Sequence, residues 1–140
     1  MIFTIKIQKR FGDTDMLGHV NNVNLQHYFD LGKSDMFRRL IGGVEDHRSN
    51  TSLIIKATHN VYESPVFMEQ DTEVTTQIER IGNTSIGLFQ TIRDAKSGLV
   101  NATSQCTMVC FNPQNGQSRQ VPDHWREQFE KEITNNNSND

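Results

Sequence analysis

The residues best suited to chemistry lie together in one segment, 10–22, which reads RFGDTDMLGHVNN. The segment combines two carboxylates, a histidine and a pair of asparagines, just before a predicted helix. Asp13 and Asp15 are two residues apart, so in an extended loop their side chains point to opposite sides and cannot form a close carboxylate pair. We therefore expect at most one of them to face a site.

Asp15 allows two interpretations. A carboxylate before a helix N-terminus can cap the helix and interact favourably with its dipole. The same carboxylate can act as a nucleophile, or as a base that activates water, beside helix amides that are free to stabilise an oxyanion. The residues by themselves favour the capping role, and the catalytic role is the open alternative.

His19 and Gly18 also have two possible roles each. His19 can act as a general acid or base, but a lone histidine in a polar loop is more often a hydrogen-bonded structural residue. Gly18 would let a ligand approach the backbone closely, although a glycine in such a loop is more often a turn residue.

Several other kinds of site have no support in the sequence. The five histidines and two cysteines form no HxH, HExxH or CxxC pattern, so we predict no metal site and no cofactor. Cys106 and Cys110 would lie roughly 13 Å apart along a strand, too far for a disulfide, and we expect both in the core. The sequence has no G-x-S-x-G elbow, GxGxxG loop or P-loop, which argues against a serine hydrolase, hydride transfer and nucleotide hydrolysis.

The element expected to position the segment is a long amphipathic helix over residues 23–41. Asn21 or Asn22 can cap its first turn. Gly32 lies on the apolar stripe, and because a glycine inside a helix costs up to ~1 kcal/mol relative to alanine, we expect another backbone, from a sheet, to come close there. The stripe itself consists of apolar residues at three- and four-residue spacings, namely Leu25, Tyr28, Phe29, Met36, Phe37 and Leu40.

The rest of the chain is predicted to form strands and one short helix. Gly82 and Asn83 predict a hairpin that pairs two strands antiparallel. A polar loop is expected at 44–50 and a helix at 123–133. Because strands and helices do not alternate, we predict an α+β fold in which an antiparallel sheet wraps around one long central helix. The predicted strands lie at 3–8, 53–62, 71–80, 85–93 and 99–111.

Length and charge restrict the class of protein further. The 140 residues suffice for one core, so we expect a single domain over 1–133, followed by a polar, disordered tail at 134–140. The net charge of −3 comes from interspersed residues, which argues against a nucleic-acid partner. No apolar run approaches the ~20 residues of a membrane span, and the N-terminal residues lack a signal-peptide core. We expect no membrane association and a cytoplasmic location.

The segment 10–22 resembles the signature of the hotdog-fold acyl-CoA thioesterases, specifically the 4-hydroxybenzoyl-CoA thioesterase-like family. The string D-x-D-x-x-G-H-V-N-N is long and fairly specific, and the order of strands and helix over 2–111 agrees with a hotdog domain. The resemblance implies that Asp15 is the catalytic carboxylate. It also implies that Asn22 supplies the amide that polarises the thioester carbonyl at the helix N-terminus.

These considerations give a predicted set of site residues. The catalytic set is Asp15, Asn22 and His19, and the substrate-binding set is Gly18, Val20, Asn21 and Leu25. Leu25 stands where family members commonly have an aromatic residue, near the expected thioester. Another hotdog branch carries its carboxylate on the long helix, which makes Asp30 a second candidate.

The resemblance also implies an activity and an assembly. The expected enzyme is an acyl-CoA thioesterase that releases a carboxylic acid and free coenzyme A and acts as a dimer or a dimer of dimers with sites between subunits. Exposed edges of a lone sheet would favour such pairing. An acyl-carrier-protein thioesterase and a non-catalytic acyl-thioester binding module are the alternatives. A hotdog dehydratase is less favoured, because His19 would have to be its base.

Overall fold

The protein is organised around one antiparallel sheet and one long helix. The computed structural model describes residues 2–43, 45–46 and 50–138. The six strands stand in the order β1-β4-β5-β6-β3-β2, and neighbouring strands are antiparallel throughout. In chain order the elements are β1 (Phe3–Lys6), a 3-10 turn (Phe11–Asp13), α1 (Asn22–Ile41), β2 (Glu45–Asp46), β3 (Thr51–Tyr62), β4 (Thr72–Ile81), β5 (Ser85–Asp94), β6 (Val100–Phe111) and α2 (Asp123–Ser138).

This architecture confirms the predicted α+β class, the five predicted strands, both helices and the antiparallel hairpin of β4 and β5. Two predicted segments, the loop at 44–50 and the tail at 134–140, differ from the structure. The loop predicted at 44–50 contains the two-residue strand β2, which is too short to show a period; residues 44 and 47–49 lie outside the described residues. Helix α2 runs on to Ser138, so the first five residues of the tail predicted as disordered are helical, because extending an existing helix requires no new nucleus. Residues 139–140 are not described.

Helix α1 lies close against the inner face of the sheet at Gly32. A Cβ atom at this position would lie 2.7 Å from Thr76 Oγ1, 2.8 Å from Val74 Cγ1 and 2.9 Å from Gln90 Nε2. The close neighbour is therefore a set of side chains on β4 and β5, not a backbone as the sequence suggested. Gln90 Nε2 donates to the backbone carbonyl of Phe29 at 2.8 Å, which joins the helix to the sheet beside the glycine.

Helix α2 covers the other end of the core. Its side chains Trp125 and Phe129 are fully buried, and Phe129 packs edge-on against Phe37 of α1 with ring centroids 6.1 Å apart. Cys106 and Cys110 lie in the same cluster as free thiols, as predicted. Burial raises the pKa of both thiols, and that of Cys110 rises to about 11, so both stay protonated near neutral pH.

The segment between β1 and α1 is held by the buried side chain of Asp13. Its carboxylate accepts hydrogen bonds from the Tyr28 hydroxyl at 2.7 Å and from the Arg10 amide at 3.1 Å, and it lies 3.4 Å from the Arg10 guanidinium. Its backbone carbonyl accepts from Asn21 N at 3.3 Å and from Asn24 Nδ2 at 3.0 Å. These contacts attach the segment to the first two turns of α1.

The Asp13 and Tyr28 side chains change each other's acidity. Burial raises the pKa of Asp13, but the hydrogen bonds from Tyr28 and Arg10 and the Arg10 charge outweigh it, so this pKa lies below its ordinary value. Burial, and then the bond to Asp13, raises the pKa of Tyr28. The pair is thus a carboxylate and a neutral phenol.

Gly32→Ala is expected to lower the free energy of unfolding by about 1–3 kcal/mol, because the added methyl group has no room between α1 and the sheet. Urea unfolding at one fixed protein concentration measures the change. Gly12→Ala is the control, since its Cβ would meet no atom within 4 Å. Equal or higher stability of Gly32→Ala, the result expected from helix propensity alone, would contradict this packing.

The stability of the protein should fall as the pH is lowered from about 5, in part through Asp13. Because the pKa of Asp13 is lower in the folded chain than in the unfolded chain, the unfolded chain takes up this proton first, near pH 4, and acid favours unfolding. In Asp13→Asn this contribution is gone, so its urea midpoint should depend less steeply on pH between about 5 and 3. Parallel curves for the two proteins would show that Asp13 is not responsible.

Candidate active site

A cavity of about 480 Å³ lies at the N-terminus of α1. Two segments form its walls, one that enters the helix and one that leaves β3. Six of the seven residues predicted for the site line it, and Gly18 does not. The lining residues are Asp15, His19, Val20, Asn21, Asn22 and Leu25 on one side and Tyr62, Glu63, Ser64 and Pro65 on the other.

The first turn of α1 leaves two amides without a protein partner. Asn21 is the N-cap, and its side-chain oxygen accepts from Asn24 N at 3.0 Å while its carbonyl accepts from Leu25 N at 3.1 Å. Within the part of the chain that the structure describes, the backbone amides of Asn22 and Val23 have no acceptor. They are the positive end of the helix dipole, and Asn22 lines the cavity.

Asp15 is held in a tight turn next to these amides. Its Oδ1 accepts from Leu17 N at 2.8 Å, its amide donates to the His19 carbonyl at 2.9 Å, and its carbonyl accepts from Gly18 N at 3.1 Å. Asn21, not Asp15, caps α1, so the capping role that the sequence favoured for Asp15 is wrong. Asp13 points away from the cavity, as the spacing of the two carboxylates predicted.

Gly18 and His19 shape the turn. Gly18 has φ of +87°, a conformation that favours glycine. It is therefore a turn residue, which is the commoner of the two roles considered for it from the sequence. His19 Nδ1 lies 3.9 Å from Asp15 Oδ2, and the His19 ring stands edge-on to Phe67 with centroids 6.3 Å apart. Both the Asp15 and His19 side chains are about one third exposed. One oxygen of Asp15 therefore remains open to the cavity.

The second wall was not predicted. Asn101 holds it in place, because its Nδ2 donates to Ser64 Oγ at 3.2 Å and to the Pro65 carbonyl at 3.0 Å. The sequence predicted only the strand at 53–62, which ends where this wall begins. The position of this wall follows from the pairing of β3 with β6, which no local motif reports.

Asp30, the second candidate carboxylate, lies elsewhere. It accepts from Gln26 Nε2 and from Lys33 Nζ, each at 3.2 Å, and it borders a separate cleft of about 380 Å³ on the far side of α1. The structure therefore does not bring Asp30 to the cavity that Asp15 lines.

Among residues 2–43, 45–46 and 50–138, no group of three or more His, Cys, Asp or Glu side chains could hold a metal ion. No helix in the same residues is long and apolar enough to span a bilayer.

Comparison with known proteins identifies the family. Residues 9–129 match the sequence profile of the Thioesterase-like superfamily, and no curated protein matches the chain. A predicted thioesterase from Bacillus stearothermophilus is 29% identical, with 95% of this chain and 97% of that chain covered and a TM-score of 0.84. Two Staphylococcus aureus structures show the same fold. A DHNA-CoA thioesterase is 17% identical over 99% and 95% of the two chains with a TM-score of 0.86, and a protein solved in complex with CoA is 18% identical over 96% and 85% with a TM-score of 0.87.

The profile match spans most of the chain, and the solved structures share its sheet and central helix. The chain therefore belongs to the thioesterase-like superfamily, which confirms the predicted hotdog fold and the prediction of a thioesterase.

Proposed function

We propose that the protein hydrolyses an acyl-CoA or aryl-CoA thioester to a carboxylic acid and free coenzyme A in the cavity at the N-terminus of α1. The observation that carries this proposal is the convergence of two complementary groups on one cavity. Asp15 and Asn22 both line the cavity, and the amides of Asn22 and of the adjacent Val23 have no acceptor among the described residues, so the carboxylate is able to attack and the amides are able to bind negative charge.

The reaction would use these groups together. The thioester carbonyl oxygen accepts from the helix amides, which stabilise the negative charge that develops on it. Asp15 then either attacks the carbonyl carbon and displaces the coenzyme A thiolate, leaving an anhydride that water hydrolyses, or takes a proton from a water that attacks the carbonyl carbon and displaces the thiolate, to which the proton passes. His19 is the nearest ionisable neighbour of Asp15, and we assign it the role of orienting the free carboxylate oxygen.

The proposed substrate class rests on the cavity wall and on relatives. Val20, Leu25 and Tyr62 give the cavity apolar surface for an acyl or aryl group. Coenzyme A is the preferred carrier because one structure of the same fold was solved with CoA and another is a DHNA-CoA thioesterase.

A screen of acyl-CoA chain lengths and aryl-CoAs, with released thiol as the readout, tests the activity; tight binding without turnover would instead indicate a binding module. A cytoplasmic location and a single domain over 1–133 stay predictions.

The open edge of β3 supports a proposed homodimer. Strand β2 pairs only with Thr51 and Ser52, so within the described residues the edge of β3 from 53 to 62 has no partner strand. The same stretch exposes four large apolar or aromatic side chains, Ile54, Ile55, Val61 and Tyr62. An unpaired apolar edge favours joining to another strand. We propose that two copies pair along β3, as a dimer or a dimer of dimers, which would bring the partner to the rim of the Asp15 cavity.

Asp15→Asn is expected to lower kcat by on the order of 100-fold or more with a modest change in KM. Asparagine keeps the oxygen that accepts from Leu17 N, so the turn survives while the charge is lost. Released thiol, followed on the best substrate of the screen, measures the effect. Asp71→Asn is the matched control, since its side chain is 38% exposed against 30% for Asp15 and lies on the surface beside Lys6. Near-wild-type turnover in Asp15→Asn would refute the proposed role.

Sedimentation velocity at micromolar concentration should show a dimer or a larger even assembly for the wild-type protein. Val61→Lys should weaken the assembly at least roughly tenfold, because it places charge on the apolar edge of β3. Leu99→Lys, a change at an exposed apolar residue away from this edge, should leave the assembly unchanged. A monomer with full activity would exclude a site shared between subunits.

A further inference from the structure

Asp13 is a buried carboxylate that the proposed reaction does not use. It is only 3% exposed, and it points away from the cavity toward α1. Its partners are the Tyr28 hydroxyl and the Arg10 amide and guanidinium. A carboxylate is seldom buried without a reason, because its desolvation must be offset by such partners.

The backbone that leads from Asp13 to Asp15 is fixed on both sides. The Asp13 carbonyl accepts from Asn21 N and Asn24 Nδ2, Thr14 forms a bridge with Val20, and the Asp15 amide donates to the His19 carbonyl. Residues 13–15 therefore form a short antiparallel ladder, with one bridge at Thr14, against residues 19–21 of the chain that enters α1. Because the backbone from 13 to 15 is hydrogen-bonded along its length, a shift of Asp13 would also displace Asp15.

Tyr28 supplies the fixed end of this arrangement. Its ring is 4% exposed and lies in the core cluster with Phe29, Val66 and Val74, and its hydroxyl approaches Asp13 Oδ2 to 2.7 Å. The amides of Asn22 and Val23 belong to the same helix, less than two turns earlier. One rigid element thus carries both the amides and the group that anchors the Asp15 segment.

We propose that Asp13 and Tyr28 are a positioning pair for the thioester reaction: their hydrogen bond holds the ladder 13–15 against α1, so that the Asp15 carboxylate meets a carbonyl carbon held at the helix amides. This inference rests on the proposed function. The geometry matters for rate because a displacement of about 1 Å between reacting groups can cost on the order of 100-fold. Asp13→Asn is consequently not a silent control for Asp15→Asn, although the two carboxylates face opposite ways.

Tyr28→Phe tests the pair with the smallest possible change, since the ring stays in the core and only the hydroxyl is removed. We expect kcat to fall roughly tenfold while KM stays within about twofold, the signature of an interaction that acts on the transition state. In the Asp15→Asn background the same substitution should change the residual kcat by less than about twofold, because there is no carboxylate left to position. Asp13→Asn should keep more turnover than Asp13→Ala, since an amide oxygen can still accept from Tyr28.

Thr75→Val is the matched control. It removes a hydroxyl that hydrogen-bonds to Thr91 between β4 and β5, away from the cavity, and kcat should be unchanged. Assays well below the lowest melting temperature of the set separate rate from stability. Three results would overturn the pair: wild-type kcat in Tyr28→Phe, an equal loss in the Asp15→Asn background, or the same loss in Thr75→Val. Near-wild-type turnover in Asp15→Asn alone would instead remove the proposed function, and with it this inference.

Discussion

The depth at which α1 packs on the sheet determines the rest of the structure. Residue 32 must lack a side chain, because Val74, Thr76 and Gln90 fill the space where a Cβ would stand. The Gln90 amide then fixes the helix along its axis by donating to Phe29 O and to Thr76 Oγ1. Buried donors that are paired in only one arrangement specify that arrangement, since any slip leaves them unpaired. The position of the helix N-terminus, and so of the cavity, is a consequence.

At the N-terminus of α1, one residue caps the helix and another places its carboxylate at the cavity. The sequence alone could not tell which residue does which. Asn21 caps α1 and satisfies Asn24 N, so Asp15 is not needed there and its side chain is available to the cavity. The cap satisfies one amide, and those of Asn22 and Val23 have no acceptor in the part of the chain that the structure describes. Because the capping side chain is neutral, it does not neutralise the positive end of the helix dipole, which stays able to bind a negatively charged oxygen.

What the sequence could predict follows from the range of each signal. Helix and strand periods are local, so the helices and strands were found with ends within two residues, apart from the end of α2. The first wall of the cavity was found because its residues adjoin in one motif. The position of the second wall, Tyr62 to Pro65, is determined by the pairing of β3 with β6, in which Tyr62 lies opposite Ala102. No pattern within either strand predicts this register. The side chains that pack around Gly32 could not be predicted for the same reason, because they too come from other strands.

Asp13 and Asp15 show how two residues of one type, two positions apart, acquire different chemistry. Thr14 between them has an extended backbone, which turns the two side chains to opposite sides, so one carboxylate enters the core and the other lines the cavity. Asp13 meets Tyr28 and Arg10, whose hydrogen bonds and charge lower its pKa and leave it little basicity. Asp15 accepts one protein hydrogen bond, from Leu17 N. A carboxylate can react with a substrate or a water only where it meets one, and of the two only Asp15 lines the cavity, which is why the proposed chemistry is assigned to it.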